Sequence, residues 1–407
     1  LHWYQAEAHI ARAYYYAELI KQYGGVPIVE SQYAANKFIP RSSYDQIVEY
    51  IVKEIDDHKG KLAVDWASFS ERNGRFTLGA ALAIKARVLL YAASPLHNPD
   101  NDVEKWKKAA AAAYDIISNP DLNYSLDSDY GAYFHGNRSL SSPETIYVVR
   151  REQSNAMESN NYPIATPGGA SGVTPTQNLV EAYEWVGDPV AGDPYANRDP
   201  RLAASVVTNG STWNGHVIDQ SPGGRHDMSA PNASKTGYYL KKFLTDNLDL
   251  TQGAKVQHNW VSYRYAEVLL NYAEAMNEAY GPDQAPGDYA LTALDALQLV
   301  RDRASLQLPI VTAATRDEFR EAVKHERRIE LAFEDHRYWD LLRWKDAMEV
   351  LNKPVRGVKV TKTGEGKWSY TQTEVATRTF LERNYYMPFT RSEVENSNHT
   401  LEQNPGY

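Results

Sequence analysis

The stretch that decides the fold is His325-Glu326-Arg327-Arg328-Ile329-Glu330-Leu331-Ala332-Phe333-Glu334-Asp335-His336-Arg337-Tyr338-Trp339-Asp340-Leu341-Leu342-Arg343-Trp344. With the residues just before it, Phe319, Ala322, Val323, Ile329 and Phe333 recur at helical spacing and predict one apolar stripe. Glu326 falls inside that stripe, where a carboxylate must be paired or give up its charge. Arg337 and Arg343, on the next expected helix, are the partners this reading assigns to it. His325-Glu326 is not followed three residues later by a second histidine, so zinc-protease spacing is absent. The cluster reads as a structural ion-pair network of Glu326, Arg337 and Arg343 between two packed helices.

Composition narrows the remaining choices. The formal charge of −9 argues against a nucleic-acid binder, and no lysine or arginine run supplies a basic patch. There is no cysteine, which removes disulfides, thiolate chemistry and cysteine-based zinc sites. Tyrosine is abundant at 29 copies, and such amphipathic rings fill helix interfaces or grip ligands. The most apolar segment, residues 78–94, is broken by Lys85 and Arg87 and is too short to cross a bilayer. The helical pattern is already running at Leu1, so an upstream portion is expected, which could carry a targeting sequence.

Helix pairs are predicted over about 3–60, 77–118, 262–303 and 316–351. Their ends carry start and stop signals: Gly24-Gly25, capping boxes at Ser43–Gln46 and Thr315–Glu318, Thr77 as a cap, and Asn119-Pro120. Residues from about 121 to 257 are rich in Gly, Pro, Ser, Asn and Asp, and predict a large irregular insertion. Only a short helix near 175–185 and strand-like runs at 146–149 and 204–208 interrupt it. A long irregular stretch with many aromatics points to a functional element rather than disorder. Residues 353–407 read as a second irregular segment. Periodicity alone gives a mainly α chain with one loop-rich insertion.

Landmarks along the chain resemble the SusD/RagB family. They include Glu326 to Glu334 followed by His336 to Leu341, Arg12-Ala13-Tyr14-Tyr15-Tyr16 with Tyr23-Gly24-Gly25-Val26-Pro27, and Gly79 to Ala93. Thr174 to Val180, Asn197-Arg198-Asp199-Pro200-Arg201-Leu202, Arg264 to Ala275, and the ending Gln403-Asn404-Pro405-Gly406-Tyr407 complete the series. The resemblance implies a single SusD-like domain over residues 1–407, with four tetratricopeptide-like helix pairs as scaffold and the insertion as ligand site. It further implies a surface-exposed outer-membrane lipoprotein that captures glycans, or in some members peptides. The partner would be a SusC-like TonB-dependent transporter. The lipid anchor lies upstream in the family, is not present in this sequence, and rests on the resemblance alone.

A sugar ring needs an aromatic platform with amide, carboxylate or guanidinium groups at its rim. Aromatics on irregular loops are the candidates: Trp185, Trp213, Tyr195 and Tyr162, with Asn161 as polar partner and Asn160, Asp193 and Asn214 close in sequence. Trp66 and Phe69 are reserves. The bland reading of each ring is that it packs the insertion onto the helices. The oxygen-rich runs Asn98 to Asp102 and Asp127 to Asp129 lack the ligand count of a calcium loop and read as turns. No nucleophile elbow, phosphate loop or two-histidine metal motif is present, so neither a metal, a cofactor nor an enzyme is expected. The alternatives are a peptide-binding or protein-interaction scaffold of the same importer type and, behind it, a glycoside hydrolase built on two carboxylates.

Overall fold

A computed structural model describes residues 2–32, 38–66 and 74–407. Phe69 lies outside the described residues. The first helix pair is α1 (His2–Tyr23) and α2 (Tyr44–His58), packed side by side through Ile10, Ala13, Ile47 and Ile51. Gly24 ends α1 at φ +70°, a left-handed conformation that favours glycine. Ser43 and Gln46 close the expected capping box on α2. In the second pair, α3 (Leu78–Ala93) begins at Thr77, which accepts from Ala80 N, and packs on α4 (Val103–Ile117). Alanines on the facing sides of α3 and α4 are wholly buried, which lets the two backbones come close.

The insertion is closed at its base by an antiparallel ribbon of β1 (Thr145–Ser154) and β2 (Val256–Arg264). Among the short helices within it are α5 (Gln177–Val180) and α6 (Pro200–Ser205). The third pair is α7 (Tyr265–Tyr280) and α8 (Ala293–Arg301). The pair begins three residues later than the sequence implies, because residues up to Arg264 pair as a strand, and Thr292 caps α8 with its own box. The signature helix α9 (Arg316–Glu330) opens on the expected Thr315–Glu318 box. Phe333 and Asp335, both at positive φ, then turn the chain. The single helix expected over 336–351 is instead two, α10 (Arg337–Arg343) and α11 (Ala347–Leu351), separated by Lys345 at φ +61°.

Residues 353–407 are not irregular throughout. β3 (Val355–Gly364) and β4 (Lys367–Ala376) form a long hairpin. Val358 and Val360 are buried and their neighbours are largely exposed, the alternation of a half-buried strand. The hairpin docks on the insertion: Val358 N donates to Thr236 O at 2.9 Å and Trp368 Nε1 to Asp219 at 3.1 Å. A mainly helical scaffold with a loop-rich insertion is the architecture the sequence predicts.

The charges of the signature tie insertion to scaffold, through partners other than those expected. Glu326 pairs with Arg201 of α6 and with Arg301 of α8 at 2.8 Å, not with Arg337 or Arg343. Glu330 takes Arg201 at 2.9 Å, Arg264 at 2.7 Å and Arg303 at 2.8 Å. Glu334 takes Arg264 at 2.7 Å and Lys242 at 2.8 Å. The buried acids Glu144, Asp199, Glu326, Glu330 and Glu334 thus face the buried cations Arg201, Lys242, Arg264, Arg301 and Arg303 in one balanced cluster. One turn apart on α9, Glu326 and Glu330 point toward the insertion, away from α10. Arg343 goes instead to Asp340 at 2.8 Å and to Glu274, and Arg337 joins no ion pair in either group.

Candidate functional site

Each candidate ring can now be placed. Trp185 is exposed, keeping 41% of its surface open. It stands at the neck of a loop held by Val186 N donating to Asn197 O at 2.8 Å. The Arg198 guanidinium lies 4.5 Å from the Trp185 ring centroid. That guanidinium is fixed in turn by the carbonyls of Val180 (2.8 Å) and Tyr183 (2.6 Å) behind α5. The ring therefore has a rigid cationic backing, a favourable cation–π arrangement, while leaving surface for a ligand. Asp193, exposed on the same loop, holds Tyr195 N and Ala196 N with one carboxylate oxygen.

Trp213 and Tyr162 are not platforms. Trp213 is 4% exposed and Tyr162 0%, and their rings meet edge to face at 6.2 Å in a small core under the insertion. The cause is local: Asn214 and Gly215, both at positive φ, form the tight turn of a two-stranded ribbon. That turn sets which side of the strand faces inward, and Trp213 falls on the inner side. Tyr162 donates its hydroxyl to Thr245 O, and burial pushes that hydroxyl's pKa up to about 12. Asn161 is likewise spent on structure, donating to Met157 O at 2.8 Å and accepting from Val173 N at 2.9 Å. Tyr195 is half-buried against Tyr370 of the hairpin at 5.3 Å and donates to Tyr238 Oη at 3.3 Å. Of the reserves, Trp66 is buried. The candidates therefore do not converge, and among the described ones Trp185 alone offers an open ring.

The sequence reading missed a cleft of about 550 Å³ where α5, the end of α9, α10, α11 and the start of β3 meet. Leu179, Ala182, Phe333 and Leu341 give it an apolar floor, and arginines stand on its walls. Arg328, half-buried, donates to Asn178 O at 2.5 Å. Burial first, then the facing charge of Arg337, pushes Arg328 down to about 10; burial also lowers Arg337. Glu181, the one carboxylate on the lining, is already held by Arg356 and Gln372. A second cleft of similar size lies between α2, α3 and α4, but no aromatic ring lines it. His9, Glu54 and His58 come within metal-ligand distance of one another. The two imidazoles, however, stack in nearly parallel planes 3.6 Å apart, so the in-plane lone pairs of both cannot meet at one ion.

The molecule is a helical-repeat scaffold carrying a stapled, loop-rich insertion on which the Trp185 ring stands open. The SusD family profile matches residues 137–407, and one described as "Starch-binding associating with outer membrane" matches residues 2–90. The chain belongs to the SusD family. Among its relatives is SusD-like protein P38 of Formosa agariphila, 25% identical over 87% of this chain and 69% of that protein. A SusD-like protein from Bacteroides fragilis superposes with a TM-score of 0.83 at 26% identity, covering 100% of this chain and 80% of the other. A SusD-like carbohydrate binding protein from the same organism gives a TM-score of 0.79 at 28% identity, covering 96% of this chain and 78% of the other. No helix among the described residues is long and apolar enough to cross a membrane.

Proposed function

We propose that the chain binds glycans without transforming them, at the outer membrane, and passes them to a SusC-like TonB-dependent transporter. The observation that carries the binding step is the open Trp185 ring on its Arg198 support. A pyranose C–H face can lie on that ring, and Asp193 is exposed on the same loop as a polar group for its hydroxyls. Family membership supports the same reading, and the transporter partner and the lipid anchor follow from membership alone.

Calorimetric titration against a panel of oligosaccharides and peptides tests the reading. Saccharides are expected to bind, and Trp185→Ala to weaken them about tenfold, in the range of losing one aromatic contact. Binding of peptides alone would move the protein to the peptide-capturing alternative. Steady product release from a polysaccharide would replace the reading with a hydrolase.

A further inference from the structure

We infer that the arginine-walled cleft between α5, α9, α10, α11 and β3 receives the anionic substituents of an acidic saccharide, carboxylate or sulfate ester. The inference rests on the glycan reading above and specifies its substrate class.

The molecule matches its buried arginines with carboxylates, while half-buried Arg198 is met by backbone carbonyls. Arg87, Arg201, Arg264, Arg301, Arg303, Arg327 and Arg343 are each bound to at least one carboxylate. Arg328 and Arg337 line the same cleft, the charge of Arg337 acts with burial to lower Arg328, and neither has a carboxylate partner. The acids nearest Arg337 are committed elsewhere: Asp340 to Arg327 and Arg343, Asp346 to Lys324 at 2.8 Å. Two half-buried like charges are unfavourable by themselves, and the arrangement is relieved by an anion between them.

Arg378 adds a further cation to the lining, where Lys353 is paired with Glu349 at 2.7 Å and Arg356 with Glu181, the single carboxylate there. This occurs on a chain whose formal charge is −9, so the positive field is local to the cleft. Guanidinium forks match carboxylate and sulfate oxygens with paired hydrogen bonds. The apolar floor of Leu179, Phe333 and Leu341 suits the C–H face of a sugar and would be wasted on a free inorganic ion. Residues 176–182 line the cleft and Trp185 follows three positions later, so one segment serves both the ring and the arginines.

The test uses paired probes on the whole chain: oligogalacturonate against its carboxyl-reduced form, and a carrageenan oligosaccharide against its desulfated form. At least one acidic member is expected to bind about tenfold tighter than its neutral partner. Which pair shows the preference separates carboxylate from sulfate. That preference should shrink as salt rises from about 0.01 M to about 0.1 M, which shortens the screening length from about 30 Å to about 10 Å. Arg337→Gln should abolish the preference while leaving the melting temperature unchanged or higher, because a structural arginine would lower it. Equal binding of acidic and neutral members, or a preference that survives Arg337→Gln, overturns the inference and leaves the glycan reading standing. Binding of neither member of either pair, or of an acidic peptide as tightly as the saccharides, overturns it as well. If the neutral panel also fails, the glycan reading falls with it.

Discussion

Trp185 and Trp213 are the same residue type in the same insertion, and their surroundings give them opposite work. Trp213 fills a core with Tyr162, Val207, Ile218 and Leu244. Its replacement by alanine removes a large buried side chain and leaves a cavity, which costs about 3–5 kcal/mol. Trp185→Ala removes an open ring and should leave the melting temperature within the scatter of surface substitutions, about ±0.5 kcal/mol. Thermal melts of the two variants separate them, and a stable Trp213→Ala would contradict the packing. The cue that told the rings apart was present in the sequence. Asn214-Gly215 between Thr212-Trp213 and His216-Val217 is a hairpin turn signal, and a hairpin against a core turns alternate side chains inward.

At the scale of elements, α9 is held by charges as much as by its apolar stripe. Glu330 lies at the centre, with Arg201, Arg264 and Arg303 around it. Glu330→Gln leaves those cations with one carboxylate fewer in a buried site, and is expected to cost about 3–5 kcal/mol in urea denaturation. A cost under about 1 kcal/mol would mean that the remaining acids re-pair without loss. The need for a partner at Glu326 was readable, because a carboxylate on an apolar stripe requires one. The partner's identity was not, since Arg201 and Arg301 reach it from other elements through tertiary packing. Elements governed by local rules were legible: Ser43, Thr77 and Thr315 cap where they should. The β3–β4 hairpin follows a local rule too, alternating Val358 and Val360 with exposed neighbours, but its many lysines and threonines masked the pattern. The cleft escaped the sequence reading because its lining comes from separated stretches of the chain, 176–182, 328–341, 350–356 and Arg378. Arg337 was assigned to Glu326, whose carboxylate Arg201 and Arg301 occupy instead.

For the molecule as a whole, the buried charges predict a two-stage response to acid. His226 and His336 are buried, and burial pushes both down to about 4; Arg225 adds to the effect on His226, while Glu267 offsets part of it at His336. Between about 6.5, where an unfolded histidine titrates, and about 4, the unfolded chain binds more protons than the folded one, so stability falls as pH falls. Each histidine contributes a slope of up to about 1.4 kcal/mol per pH unit in that window. The carboxylates act lower. Burial works to raise Glu267, Glu330 and Asp340, but neighbouring arginines outweigh it, holding Glu267 down to about 2 and the other two well below the usual carboxylate range. Their stabilisation is complete above the unfolded value of about 4 and is lost as pH drops through the folded values. The melting temperature should therefore decline gently from about pH 6.5 and steeply below about pH 4. His336→Gln, which cannot ionise, should flatten the gentle limb and leave the steep one in place. Parallel profiles for the variant and the parent protein would remove His336 from the account, and a steep limb beginning near pH 6 would show the arginines around Glu330 and Asp340 to be weaker than their geometry implies.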